Sequence, residues 1–294
     1  MTRTLSVFQS LWAMEGLPWR APRPWTLEER IERTAEAGFA GVGLDLYARE
    51  APAASEVAPL LRAAGLRSLV TAFVNDRTPL AASLEYAAEV GAELVVVCGQ
   101  VFPDEPAEAA ELVREWRKET EAAGFAFHLE THRYTLTNDL AFTHRLAAEL
   151  PDVALSLDLS HYVVGNELPD KSHARVDGMI GRLLSLGASL QGRVATREQV
   201  QVPLEFGQHA AQVERFRGWW LEAMRSWRTR AADAADLVFL CELGTTPYAI
   251  TGADGEELSD RWHEALLLKA WAEELFTASA SESTLASTSA EEAS

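Results

Sequence analysis

Strand-like runs and amphipathic helical runs alternate eight times along this chain, and that rhythm restricts what it can fold into more than any other feature. The strand-like runs are LSVFQSLW (5–12), GVGLDLY (41–47), RSLVTAFV (67–74), ELVVVCGQ (93–100), AFHLETHR (126–133), VALSLDL (153–159), SLQGRVA (189–195) and LVFLCELG (237–244). Helical stretches such as TLEERIERTAEAGF and PLAASLEYAAEVGA lie between them, several closing on Ala-Gly or Gly-Ala, where glycine ends a helix. Thr26 ahead of Leu-Glu-Glu reads as a helix cap with acid in the first turn. Strict alternation implies a parallel sheet, and eight units in 294 residues suit a closed barrel. An open doubly wound sheet would place a glycine-rich nucleotide turn after its first strand. Here that strand runs into Trp12-Ala13-Met14-Glu15, and neither that fingerprint nor a P-loop occurs. The expected architecture is a single-domain α/β fold, a (β/α)8 TIM barrel over residues 1–276, with a disordered Ser/Ala/Glu-rich tail at 277–294. The seventh unit is the least regular, because a long polar stretch follows SLQGRVA, and loops of that length commonly cover a site.

Composition removes several kinds of function. The formal charge is −18, which disfavours nucleic acid as a partner, since an acidic surface repels the phosphate backbone. Lys118, Lys171 and Lys269 are the only lysines and none ends a strand, which argues against Schiff-base chemistry. Cys98 and Cys241 sit inside apolar strands without ligand spacing, so neither a disulfide framework nor a zinc site is expected. The N-terminus lacks the build of a signal peptide, and no apolar run approaches a membrane span, which makes the cytoplasm the expected location.

Strand parity then locates the chemistry. In AFHLETHR, Phe127 and Leu129 share one face, while His128, Glu130 and His132 share the other. The apolar set should meet the outer helices, which turns Glu130 into the barrel. The same alternation turns Asp158 and Glu242 inward, each near the C-terminal end of its strand, the face on which such barrels carry their active sites. Gln191 ends a fourth polar-tipped strand. Three close carboxylates raise one another's pKa unless a cation or shared protons compensate. Hard oxygen donors favour Mg2+ or Mn2+, and an imidazole would extend the choice to Co2+ or Zn2+. Trp12, with Trp19 and Trp25, is a candidate to wall a sugar site, and Asp45 and Tyr47, at the end of the second strand, are candidates to bind hydroxyls; His128 reads as a packed core residue, whereas His132 stands nearer the mouth.

These residues resemble the xylose-isomerase-like sugar isomerase and epimerase barrels, a family that includes endonuclease IV. The resemblance spans roughly residues 3–276 and rests on Glu130-Thr-His132-Arg133, Asp158-Leu-Ser-His161, Gly192-Arg193-Val194 with Gln201-Val202-Pro203, and Glu242-Leu-Gly244 followed by Tyr248. It implies a divalent metal held by Glu130, Asp158, Gln191 and Glu242, with His161 and Arg193 contacting substrate beside His132, Trp12 and Tyr47. Gln191 stands where the family carries histidine, and its neutral amide oxygen suits Mg2+ or Mn2+ better than transition metals. The implied reaction is proton transfer next to a ketone carbonyl of a small sugar or polyol, with Glu130 and Glu242 as the acid–base pair. Homodimers or homotetramers are implied by the same resemblance. Three other readings stay open: an inosose-type dehydratase, a binding or regulatory barrel without the metal, and a phosphodiesterase or nuclease, which the charge and the few strand-end histidines disfavour.

Overall fold

The structure is a computed structural model that describes residues 2–281. Its eight strands pair in chain order, each parallel to the next, and the last closes on the first. The strands are β1 (Thr4–Ser10), β2 (Gly41–Asp45), β3 (Arg67–Val74), β4 (Leu94–Gly99), β5 (Ala126–Glu130), β6 (Leu155–Leu157), β7 (Gly187–Gly192) and β8 (Asp236–Cys241). Helices α1 (Leu27–Glu36), α2 (Ala54–Ala64), α3 (Leu80–Val90), α4 (Pro106–Ala122) and α5 (Leu140–Glu149) follow the first five strands in turn. Two helices, α6 (Ser160–Gly165) and α7 (Ala174–Leu184), separate β6 from β7. Helices α8 (Ala210–Arg230) and α9 (Arg261–Ser281) complete the ring. The chain is a (β/α)8 TIM barrel.

Local chemistry sets these boundaries. Thr26 caps α1 through a reciprocal capping box with Glu29, and Gly65 and Gly91 end α2 and α3 in the left-handed conformation. Strand β6 is shorter than the run 153–159, and its register against β7 shifts between Leu155 and Ser156. Asp158 therefore lies just past the ladder. The barrel boundary expected at residue 276 falls inside α9, which is helical to Ser281. Small residues let that last turn lie against α8: Ser279 is buried and accepts from Arg228 Nε at 2.7 Å, and the Arg228 guanidinium covers Phe276 at 3.8 Å. The rest of the expected tail, 282–294, lies outside the described residues. Among the described residues no helix is long and apolar enough to cross a membrane.

The core has two parts. Outward-facing strand residues and the helices form the larger one, while Phe8, Leu69, Leu94, Val96 and Leu240 plug the barrel interior. That plug leaves no room on β2: a Cβ on Gly41 would lie 2.4 Å from Arg67 O and 2.5 Å from the Phe8 ring. Arg67 closes the N-terminal end through Ser6 (2.6 Å), Asp236 (2.9 Å) and Glu93. The opposite end is left to the polar strand tips.

Candidate active site at the C-terminal mouth

Glu130 ends β5, and its position is fixed from behind by Thr137, whose hydroxyl donates to Glu130 O at 2.6 Å. Asp158 turns inward past β6, with Oδ1 accepting from the Ser160 backbone N–H (2.9 Å) and hydroxyl (2.5 Å). Gln191 lies on β7 with Nε2 3.4 Å from Ser156 Oγ, and Glu242 follows β8. All four are buried. Carboxylate oxygens of Glu130, Asp158 and Glu242 lie within 4.8 Å of one another. The inward parity read from the sequence therefore brings the three carboxylates together.

Arg193 bridges Asp158 and Glu242, 2% exposed. Its Nε donates to Glu242 O at 2.9 Å, its Nη2 stands 3.1 Å from Glu242 Oε2, and its Nη1 stands 3.3 Å from Asp158 Oδ2. Burial works against its charge, but Asp158 and Glu242 outweigh it and keep the guanidinium cationic. His161 Nε2 lies 3.3 Å from Asp158 Oδ2, and its ring packs 3.9 Å from that of His132.

Burial in a low-dielectric barrel disfavours every charge here. It pushes the Glu130 carboxyl up to about 8, with Asp158 adding repulsion and Cys98 and Gln191 opposing the rise. Glu242 is pushed well above the usual carboxylate range by burial, against the pull of Arg193, and Asp158 is raised for the same reason. Asp45 rises to about 6 through burial. Burial likewise holds the imidazoles neutral, His132 down to about 3 and His161 well below the ordinary value.

A cavity of about 290 Å³ opens above the cluster, near the lower end of ligand-pocket sizes. Glu130, Glu242 and Arg193 reach it from below, and Trp12, Phe73 and Tyr248 wall it. Trp12 meets Tyr248 edge-on at 5.1 Å and fits because residue 244 is glycine, where a Cβ would stand 2.2 Å from the indole. Tyr47 lines the mouth at 71% exposure, and His132 lines the wall. Asp158, Gln191 and His161 sit beneath the cavity instead of lining it, so His161 reaches a bound molecule only through Asp158, Arg193 or His132. His128 packs inside the barrel against Ser189 Oγ at 2.8 Å, as a core residue. Sequence reasoning gave no role to Phe73, Gln100, Arg133 or Tyr248, all of which line the cavity. Strand parity turns Phe73 inward like Thr71, a signal that could have found it.

The donor set answers whether a divalent cation suits these residues. Glu130 Oε2, Asp158 Oδ2, Gln191 Oε1 and Glu242 Oε2 are all buried and accept no hydrogen bond. A buried acceptor left without a donor costs about 1–3 kcal/mol, and Arg193 stands near two of these oxygens without bonding in line. In their ionised forms, three carboxylates against one guanidinium also leave two negative charges over. A doubly charged cation would neutralise them and take up the converging oxygens of Glu130, Asp158 and Glu242, so these three carboxylates fit a hard divalent ion.

No protein-family model matches the sequence, and no curated protein matches it. Solved structures do match the fold. An L-ribulose 3-epimerase aligns with TM-score 0.58 at 14% identity, covering 97% of this chain and 98% of that one. A xylose isomerase-like TIM barrel protein from Mycobacterium smegmatis in complex with magnesium aligns with TM-score 0.57 at 15% identity, covering 93% and 98%. D-Allulose 3-epimerase from Methylomonas sp. aligns with TM-score 0.55 at 13% identity, covering 95% and 100%. This chain thus shares its (β/α)8 barrel fold with these solved structures.

Proposed function

We propose that this barrel is a metal-dependent isomerase or epimerase acting on a small ketose or polyol-derived ketone, a reading carried by the donor-less oxygens of Glu130 and Glu242 at the floor of the cavity and of Asp158 and Gln191 beneath it. Glu130, Asp158, Gln191 and Glu242 would hold the cation, Mg2+ or Mn2+ by the hardness of their oxygens. When bound, such an ion supplies Lewis-acid polarisation of a substrate carbonyl. Glu130 and Glu242 stand on β5 and β8, three strands apart around the ring, and both reach the cavity. They are therefore placed to take a proton from one side of a bound molecule and return one from another. Burial raises the proton affinity of both carboxyls above the ordinary carboxylate range, as suits groups that hold and release a proton. Arg193, permanently charged, would stabilise negative charge on a substrate oxygen, and its bond to Glu242 O fixes its direction. Trp12, Tyr47 and His132 would bound the sugar, with His161 holding Asp158 and Arg193 from below. The solved sugar 3-epimerases of this fold support the substrate class.

Incubating Mg2+- or Mn2+-loaded protein with a panel of ketoses and inososes, followed by 13C NMR, tests the reaction. Appearance of an epimer or aldose isomer is the expected result. Loss of water from an inosose would assign the dehydratase instead, and no change across the panel would reject the proposal.

A further inference from the structure

Arg133 lies three residues beyond Glu130, on the loop after β5, and the chemistry above does not use it. Half-buried, it lines the cavity, with its guanidinium over the Tyr248 ring at 4.8 Å from the centroid. Among the described residues its side chain makes no ion pair and donates no hydrogen bond. A guanidinium without an ion-pair partner in the pocket of a chain with net charge −18 calls for an explanation.

The segment that presents it is tightly held. His132 N–H donates to Thr137 Oγ1 at 3.1 Å, His132 Nδ1 bonds Arg133 O at 2.5 Å, and Thr135 Oγ1 donates to His132 O at 2.6 Å. The following Tyr134 sits at φ 57°, uncommon for a bulky side chain, with its N–H on Asn138 Oδ1 at 3.0 Å. Tyr248 is in turn braced by Trp12 and carries the Arg193 guanidinium at 4.9 Å. Stacking on a ring occupies the flat face of a guanidinium and leaves its in-plane N–H donors free.

Charge points the same way. With the floor neutralised as described, the other charged groups lining the cavity are Asp45, Arg49 and Arg133, one acid and two bases. Resting on the proposed reaction at that floor, we propose that the substrate carries a carboxylate and that Arg133 binds it at the cavity wall. A carboxylate matches the two-pronged donor edge of arginine. A phosphoryl group fits less well, because phosphate sites in such barrels use free backbone N–H groups after strands seven and eight. Here Gly244 N–H is already bonded to Gln201 Oε1 at 2.7 Å, and Trp12 covers the glycine.

Calorimetric titration of the Mg2+-loaded protein with D-fructuronate, D-fructose and D-fructose 6-phosphate tests this. D-Fructuronate should bind at least tenfold tighter than D-fructose, since a hydrogen bond to a charged group contributes about 1.5–3 kcal/mol. In Arg133→Gln the ratio should fall toward one, and Arg133→Lys should keep part of it, with melting temperatures showing that both variants fold. Equal binding of D-fructuronate and D-fructose to the wild type, an unchanged ratio in Arg133→Gln, or preference for the phosphate would overturn the proposal. Binding is read apart from reaction. A carboxylate preference lost in Arg133→Gln without any turnover rejects the isomerase and keeps the anion site; turnover of D-fructose with no such preference does the reverse.

Discussion

Gln191 is the residue at which this site departs most from an imidazole-containing metal centre. Its amide oxygen is buried without a donor, and a neutral amide is a poor partner for transition metals. Replacing it with histidine should tighten Co2+ and Zn2+ binding at least tenfold while leaving Mg2+ little changed, because imidazole nitrogen selects the softer ions. Competition against a chromophoric chelator measures this, and equal Co2+ affinity in both proteins would remove Gln191 from the site. The three carboxylates were legible in the sequence because strand parity fixes which face a residue takes. Arg193 was legible only as a substrate contact; that it penetrates between Asp158 and Glu242 depends on the length of its side chain and the space beneath Trp12, which no periodicity encodes. His161 was expected at the cavity and lies under it, since α6 begins at once after Asp158 and carries the ring down against His132.

At the scale of elements, β2 shows how the interior dictates sequence. Gly41 and Gly43 face the Phe8 and Leu240 side chains that plug the barrel, and at Gly41 the nearest obstacle is backbone, Arg67 O. Gly41→Ala should therefore destabilise the fold by about 1–3 kcal/mol, the usual cost of overpacking, seen as a lower urea midpoint; an unchanged midpoint would mean β2 and β3 can separate freely. Near the mouth, Gln201 joins the loops after β7 and β8, donating to Gly244 O at 3.0 Å and accepting from Gly244 N. That pair explains the Gln201-Val202-Pro203 motif as a clamp holding the Arg193 and Glu242 segments together. Eight strands and the capping of α1 could be read from the chain because they rest on local pattern. The register shift in β6 and the extra helix α7 could not, because pairing with β7 and packing against distant helices decide them.

For the whole molecule, stability carries a pH signature away from the cavity. Glu264 on α9 is buried, accepts from Leu204 N at 2.7 Å and from Ser259 Oγ at 3.1 Å, and burial pushes its carboxyl up to about 7. The folded chain thus holds this proton more tightly than the unfolded chain, whose carboxyl titrates near 4.5. The benefit is full below that value and fades as pH rises toward 7, a loss of up to roughly 3 kcal/mol. Glu264→Gln should accordingly be more stable than wild type at pH 8 and close to it at pH 4.5, by urea unfolding; a constant difference between the two conditions would contradict the burial argument. The central claim is that Glu130 and Glu242 move protons on a ketone held in the mouth of the barrel. Its most direct test is solvent-deuterium exchange, followed by 1H NMR in D2O with metal-loaded protein and a ketose that it turns over or binds. The wild type should wash deuterium into a carbon beside the carbonyl, and Glu130→Gln and Glu242→Gln should each abolish that exchange, since an amide cannot take up the proton. Exchange that persists in both variants would contradict the account.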